Sequence, residues 1–362
     1  MAKKIIFVIP TLGSGGAERV VSSLANELVE RGYNIGVVLV ISREQKYEIG
    51  SRIKIYSLDC IEDQNKITAK RYLRRFNKLR RILKQLAPDV VVSFLAETNI
   101  DVCLSAIGLK IPVIVSERND PAVEPAGRIK QILRKFAYLR ANGFVFQTPD
   151  AQAYFSRRIQ RKSTIILNPL TSTIADVFRG EREKRIVAVG RLDHQKNYPV
   201  LFEAFRNFSE KNPGYTLDVF GQGPLKQSLL DQIHAMKLEG LVTLKGFCAD
   251  VHNEIRKAGI YVMSSDFEGM PNTLIEAMAM GLPCISTDCP CGGPRVLIDH
   301  GKNGVLVPVG DAVALENAMC SLAADSTYAA RLGRAAELLR NRVDIGTVSD
   351  QWIEFINTVD RT

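Results

Sequence analysis

The sequence predicts an α/β protein built as two doubly wound domains in tandem, and three observations support that fold class. Short, continuous Val/Ile-rich runs alternate with amphipathic stretches, as in parallel strands covered by helices on both faces. The plan occurs twice, with the first strand of each half starting near Ile5 and Ile186 in a chain of 362 residues. The composition is 46% hydrophobic and 24% charged, enough for two or three full cores. It excludes a disordered chain, a collagen-like repeat and a disulfide scaffold.

In the first half the predicted strands are 5–9, 35–41, 53–58, 90–94, 113–116, 143–147 and 164–167, with helices at 17–30, 66–86, 99–108 and 127–139. The opening Met-Ala-Lys-Lys and the apolar run after it are too short for a secretory signal and lack a small-residue cleavage site, so they read as a first buried strand. No apolar run approaches the ~18–20 residues that span a bilayer. The aperiodic stretch 168–173 reads as a linker. The second half has predicted strands at 185–189, 216–220, 242–244, 260–264, 283–287 and 305–308, and a last helix at 345–359 carries Trp352. Two such domains facing each other would leave a cleft at the carboxyl ends of their strands, where ligands of open α/β sheets bind.

The formal charge of +9 is uneven: residues 1–180 carry 29 basic and 16 acidic side chains, net +13, and the rest is net −4. The segment 66–84 holds nine basic residues and no acidic one. Its Leu73, Phe76, Leu79, Leu83 and Leu86 recur at helical spacing, with Lys70, Arg71, Arg74, Arg75, Lys78 and Arg81 on the other faces. Such a helix can meet an anionic membrane surface, present guanidinium forks to phosphates, or be a solvated face of a core helix. Nucleic acid ranks last, since aromatics for stacking are few and no reading motif is near. The seven cysteines form no C-x-x-C pair, and Cys289-Pro290-Cys291 has no His at zinc-site spacing, so reduced, packed thiols and no metal site are expected.

The chemistry should lie in the loops after strands. Gly13-Ser14-Gly15-Gly16 opens the first helix, where consecutive glycines admit an anion to backbone N–H groups; it lacks the third glycine of a dinucleotide fingerprint. After the second domain's first strand, Arg191 emerges and Lys196 is expected to start the next helix, so both could converge on one phosphate. Gly221-Gln222-Gly223-Pro224 follows another strand. In the run 264–283, Gly269 and Pro271 force Glu268 into a loop, while Asn272 or Thr273 is expected to cap a helix bearing Glu276 about one turn in. Two carboxylates also invite a glycosidase reading. That chemistry needs carboxyls about 5–9.5 Å apart, whereas eight helical residues would put them ~12 Å apart. A sugar-nucleotide site, with one Glu on a sugar and the other on a ribose, is preferred.

These residues resemble a known family. Glu268 and Glu276 match the E-x7-E motif of retaining glycosyltransferases of the GT-B fold, specifically glycosyltransferase family 4. Ser14-Gly15-Gly16-Ala17-Glu18-Arg19, Gly190-Arg191-Leu192 with Lys196-Asn197, and Gly221-Gln222-Gly223-Pro224-Leu225 extend the likeness over nearly the whole chain. The form of the first loop and the basic helix are most similar to bacterial members that extend polyprenyl-diphosphate-linked glycans, N-acetylgalactosaminyltransferases among them. The resemblance implies two Rossmann-like domains facing a central cleft. Residues 1–168 would bind acceptor, 169–346 the nucleotide sugar, and 347–362 would return as a helix to the first domain.

It implies a UDP-sugar donor, no cofactor, and a catalytic set of Glu268, Arg191 and Lys196, the two cations neutralising the departing diphosphate. Gly15, Gly16, Gly269, Met270, Pro271, Asn272, Thr273 and Leu274 would bind donor, and Glu276 the ribose. Arg71, Arg74, Arg75, Lys78 and Arg118 would meet the lipid-linked acceptor's diphosphate, with helix 66–86 on an anionic membrane. Arg118 stands where many members place a His toward the transferred sugar. The implied enzyme is peripheral to the inner face of the cytoplasmic membrane. A nucleotide-sugar epimerase of similar fold, a soluble sugar or sugar-phosphate transferase, and a non-enzymatic anionic-surface module are the alternatives.

Overall fold

A computed structural model describes residues 2–13, 15–41, 45–58, 69–170 and 174–360. Ser14, Cys60, the expected start of the basic helix at Lys66, and linker residues 171–173 lie outside the described residues, as do the side chains of Lys70 and Arg71. The chain forms two compact units, one of residues 1–169 with 344–362 and one of 170–343.

The first unit runs β1 (Lys4–Ile9), α1 (Gly16–Glu30), β2 (Asn34–Leu39), β3 (Lys54–Ser57), α2 (Ala69–Leu86), β4 (Val90–Phe94), α3 (Ala96–Ser105), β5 (Val113–Ser116), α4 (Arg128–Ala137), β6 (Gly143–Phe146), α5 (Pro149–Ala153), α6 (Arg157–Gln160) and β7 (Ser163–Ile165). Its seven strands pair in parallel in the order β3-β2-β1-β4-β5-β6-β7. Ile5, Phe7 and Ile9 alternate into a core shared with Val90, Val92 and Phe94, because residues two apart share a face of a strand.

The second unit runs β8 (Glu183–Val189), α7 (Tyr198–Lys211), β9 (Thr216–Phe220), α8 (Lys226–Ala235), β10 (Val242–Gly246), α9 (Val251–Ile255), β11 (Ala258–Met263), α10 (Asn272–Ala279), β12 (Cys284–Thr287), α11 (Gly293–Leu297), β13 (Val305–Val307), α12 (Ala312–Ala324), α13 (Ser326–Glu337) and α14 (Arg340–Val343). Its parallel sheet has the order β10-β9-β8-β11-β12-β13. Its core is separate, built on Ile186, Ala188, Phe202, Phe205 and Phe208. The last helix, α15 (Ile345–Asp360), belongs to the first unit, where Val348, Trp352, Ile356 and Val359 are buried at helical spacing beside Phe94.

Local differences from expectation have physical reasons. Lys196 does not start a helix: residues 194–196 form a 3-10 turn, and Asn197, in the left-handed region at φ 44°, redirects the chain into α7, whose first turn contains Pro199. Neither Asn272 nor Thr273 caps α10. Pro271 is the capping position, without a side-chain cap bond, and Thr273 Oγ1 instead accepts from Tyr261 at 2.9 Å. Leu73, placed in the apolar stripe of the basic helix, is 60% exposed, while Leu79 and Leu83 are fully buried.

Candidate active site

In the second unit the strand order reverses between β8 and β11, so the loops that follow these neighbours run to opposite sides and leave a crevice at their carboxyl ends. Both loops contain residues singled out from the sequence. Lys196 Nζ meets Glu268 Oε1 at 2.5 Å, with side chains 16% and 10% exposed. Two serines that follow β11 anchor the pair: Ser265 Oγ donates to Glu268 Oε1 at 2.8 Å, and Ser264 Oγ donates to the Lys196 carbonyl at 2.8 Å. Thr287, at the end of β12, donates to the Ser265 carbonyl at 2.6 Å. Asp266 N–H donates to the Gln195 carbonyl, Gln195 returns a bond to the Phe267 carbonyl, and Asn197 donates to Asp266, so the two loops are stitched together over three further bonds.

Glycines bring the backbone close at two points. A Cβ on Gly221, where φ is +143°, would lie 1.9 Å from the Gly190 carbonyl oxygen, and one on Gly293 would lie 1.8 Å from that of Gly269. The loop bearing Glu268 is thus pressed against the turn after β12. Gly269, Met270 and Pro271 carry the chain from Glu268 into α10, followed by Asn272, Thr273 and Leu274 in its first turn. Glu276 is buried within α10, and its Oε2 lies 3.1 Å from His252 Nε2 of α9. The two carboxylates therefore have different partners, a lysine for one and a histidine for the other. Arg191 is on the rim: its side chain is 71% exposed and its Nε donates to Asp193 at 2.5 Å. Arg191 and Lys196 come from one loop, yet each is matched to its own carboxylate. Cys289, next to this loop, has its thiol pushed up to about 12 chiefly by burial, then by the charge of Glu268.

The remaining candidates lie in the first unit. Gly15 is the N-cap of α1 and Gly16 its first residue; a Cβ on Gly15 would strike the Glu18 carboxylate, which accepts a bond from Thr11. Of the basic helix, Arg74 is exposed. Arg75 is turned inward, 2.7 Å from Asp101 of α3, and Lys78 Nζ donates to the Leu58 carbonyl at 3.0 Å. Expected as a set facing the acceptor, these side chains divide: Arg75 and Lys78 fasten α2 to its own unit. Arg118 is likewise not presented at a surface. It is 6% exposed, donates to Asn168 at 2.9 Å and stacks over Phe94 at 4.8 Å and Trp352 at 6.0 Å. Burial pushes its guanidinium down to about 9, still a cation at neutral pH.

Sequence reasoning missed Ser265, Thr287 and His252. Ser265 lies in the run 264–283, but hydroxyls are common in loops, and nothing local distinguishes one that holds a carboxylate. His252, 24 positions before Glu276, is brought to it only by the fold. Among the described residues, no group of three or more His, Cys, Asp or Glu side chains is placed to hold a metal ion.

Residues 172–339 match the family described as Glycosyl transferases group 1, and residues 14–171 match Glycosyltransferase Family 4. Along 98% of its length the chain is 29% identical to a Campylobacter jejuni protein, over 99% of the latter. That protein is named as a GalNAc-alpha-(1->4)-GalNAc-alpha-(1->3)-diNAcBac-PP-undecaprenol alpha-1,4-N-acetyl-D-galactosaminyltransferase. The amylovoran biosynthesis glycosyltransferase AmsD of Erwinia amylovora is 24% identical over 83% of this chain and 85% of its own. Among solved structures, Anabaena HepE in complex with UDP and glucose superimposes with a TM-score of 0.82 at 17% identity, covering 98% of this chain and 100% of that one. Sucrose-phosphate synthase from Thermosynechococcus elongatus gives 0.83 at 16% identity, covering 99% of each. The chain belongs to the group 1 and family 4 glycosyltransferases, with their GT-B architecture of two parallel-sheet, Rossmann-like domains.

Proposed function

We propose that this glycosyltransferase moves a hexose or N-acetylhexosamine from a UDP-sugar, with retention, to a polyprenyl-diphosphate-linked oligosaccharide or related surface glycan. The observation that carries the reading is the Lys196–Glu268 pair, set in the crevice beside the start of α10. A diphosphate entering there would exchange Glu268 for phosphate oxygens at Lys196, freeing the carboxylate to accept bonds from sugar hydroxyls. Arg191 at the rim would add a second cation as negative charge grows on the leaving nucleotide, which is where fixed positive groups accelerate the reaction. Backbone groups around Gly269, Met270 and Pro271 would hold the sugar and its phosphate, and Glu276, steadied by His252, the ribose hydroxyls. In the transfer, the bond from the anomeric carbon to the phosphate oxygen breaks, the acceptor hydroxyl oxygen bonds to that carbon, and its proton ends on the released diphosphate. Support for the acceptor class comes from the Campylobacter relative, whose name specifies an undecaprenol-diphosphate-linked glycan, and support for the donor from HepE, solved with UDP and glucose. On this reading the first unit serves the acceptor, the second the donor, and the enzyme works at the inner face of the cytoplasmic membrane without a cofactor.

The test is a panel of UDP-sugars incubated with a polyprenyl-diphosphate-linked acceptor, with products read by mass and the anomer by NMR. Lys196→Ala and Glu268→Ala are each expected to lower kcat/KM by at least about 100-fold. Transfer within a few-fold of wild type in either variant would remove these residues from the mechanism, and epimerised donor without acceptor would replace the reaction.

A further inference from the structure

The helix α4 turns its apolar stripe away from the protein. Ile129, Ile132, Leu133, Phe136 and, just past the helix end, Leu139 are 83%, 53%, 38%, 66% and 59% exposed. Their spacing of three, one, three and three residues places all five on one side of a helix of 3.6 residues per turn. The opposite side faces inward with Arg134 and Ala137, 1% and 2% exposed. Arg134 holds this orientation: its Nη2 donates to the Pro121 carbonyl at 2.9 Å, its Nη1 to the Glu124 carbonyl at 2.6 Å, and it stacks over the Tyr154 and Phe155 rings. An isolated exposed Leu needs no explanation, but five large apolar side chains in one stripe do.

The charged side chains of α4 itself are all basic. Arg128 and Lys135, both exposed, border it on one side, and Lys130, paired with Glu97 at 2.5 Å, on the other. At its C-terminal end a cavity of about 460 Å³ opens between Leu139, Tyr154 and Phe155; its basic lining residues are Arg134, Lys135, Arg158 and Lys162, and it has no acidic one. An apolar stripe bordered by Lys and Arg fits the boundary between acyl chains and anionic headgroups, the stripe entering the hydrocarbon edge and the cations meeting phosphates. The basic helix α2 does not turn such a stripe outward: Leu73 is exposed, but Leu79 and Leu83 are buried and Arg75 and Lys78 are engaged within the unit.

We infer that the exposed face of α4 is a membrane-docking surface that seats the protein on an anionic lipid bilayer, the role expected from sequence for helix 66–86. The inference is independent of the proposed reaction, since lipid binding is read without donor or acceptor. No helix among the described residues is long and apolar enough to cross a membrane, so α4 would lie in the interface.

The test is co-sedimentation of the full chain with vesicles of phosphatidylcholine alone and of phosphatidylcholine mixed with phosphatidylglycerol. Wild type is expected on the mixed vesicles and to be released by salt. Ile132→Ser with Phe136→Ser should weaken partition by at least about tenfold. Phe136→Leu, which keeps the apolar stripe, should bind as wild type, and Arg74→Ala with Arg81→Ala should stay within about threefold. Circular dichroism should be unchanged in all variants, because these residues are at the surface. Failure of wild type to bind mixed vesicles, equal binding by the Ser pair, or a larger loss in the α2 pair than in the α4 pair would each overturn the inference. So would a wild-type dimer that the Ser pair dissolves while vesicle binding persists, which would make the face an interface between two copies.

Discussion

Lys196 and Glu268 are a charge pair mostly removed from water, and each alone would be costly to keep ionised there. Their types and their place after strands could be read from the sequence, since a lysine and a glutamate in glycine-bearing loops stand out. Their contact could not, because 72 residues separate them and only the adjacency of β8 and β11 joins the loops. Arg118 shows the reverse limit: its position was legible, but its burial between Phe94 and Trp352 depends on where α15 packs. Glu117, its neighbour, allows a pH prediction. Burial raises its carboxyl from 4.5 to about 7, against the pull of Arg134 and the bond from Tyr138. The unfolded chain releases this proton at lower pH, so the stabilisation is full below about 4.5 and is lost as pH rises through about 7. Glu117→Gln, neutral throughout, is expected to flatten the decline in the urea midpoint over that interval. An unchanged slope would show that Glu117 is ionised in the folded protein across it.

At the scale of elements, α15 and the pair α2 and α4 carry different lessons. In α15, Val348, Trp352, Ile356 and Val359 recur at helical spacing, and the helix was expected to return to the first domain from its resemblance alone. Trp352 is 1% exposed and packs 5.7 Å from Phe94, so Trp352→Ala should cost about 3–5 kcal/mol, measured by denaturant unfolding. A loss under ~1 kcal/mol would mean the helix is not integral to the first core. Helices α2 and α4 both have apolar stripes with basic borders, and periodicity predicts both. Periodicity does not say which side meets the sheet. In α2 Leu79 and Leu83 turn inward and Arg75 bonds to Asp101, whereas in α4 an arginine turns inward because carbonyls from 121 and 124 await it. The basic charge was legible, but its division between structural and surface duty was decided by neighbours distant in sequence.

At the scale of the molecule, each unit has its own parallel sheet, its own core and its own reversal of strand order, between β1 and β4 in the first and β8 and β11 in the second. Separate cores make the units separable in their response to ligand. If the donor binds in the second unit, saturating UDP should slow amide exchange chiefly within 170–343. A ligand ~100-fold above its Kd adds about 2.7 kcal/mol to the stability of what it binds. Protection confined to 1–169 would place the donor in the other unit. The sequence by itself determined the two-fold α/β plan, most strand positions, the loops that carry the candidate site and the family, because strand hydrophobicity, helical periodicity and glycine at tight turns are local properties. Only the tertiary structure decided which charges are paired, that His252 attends Glu276, that Arg75 and Arg118 face inward and that α4 faces out. Those outcomes depend on contacts between residues tens to hundreds of positions apart, and burial, which sets the strength of every charge and apolar surface, exists only once the sheet and its helices are assembled.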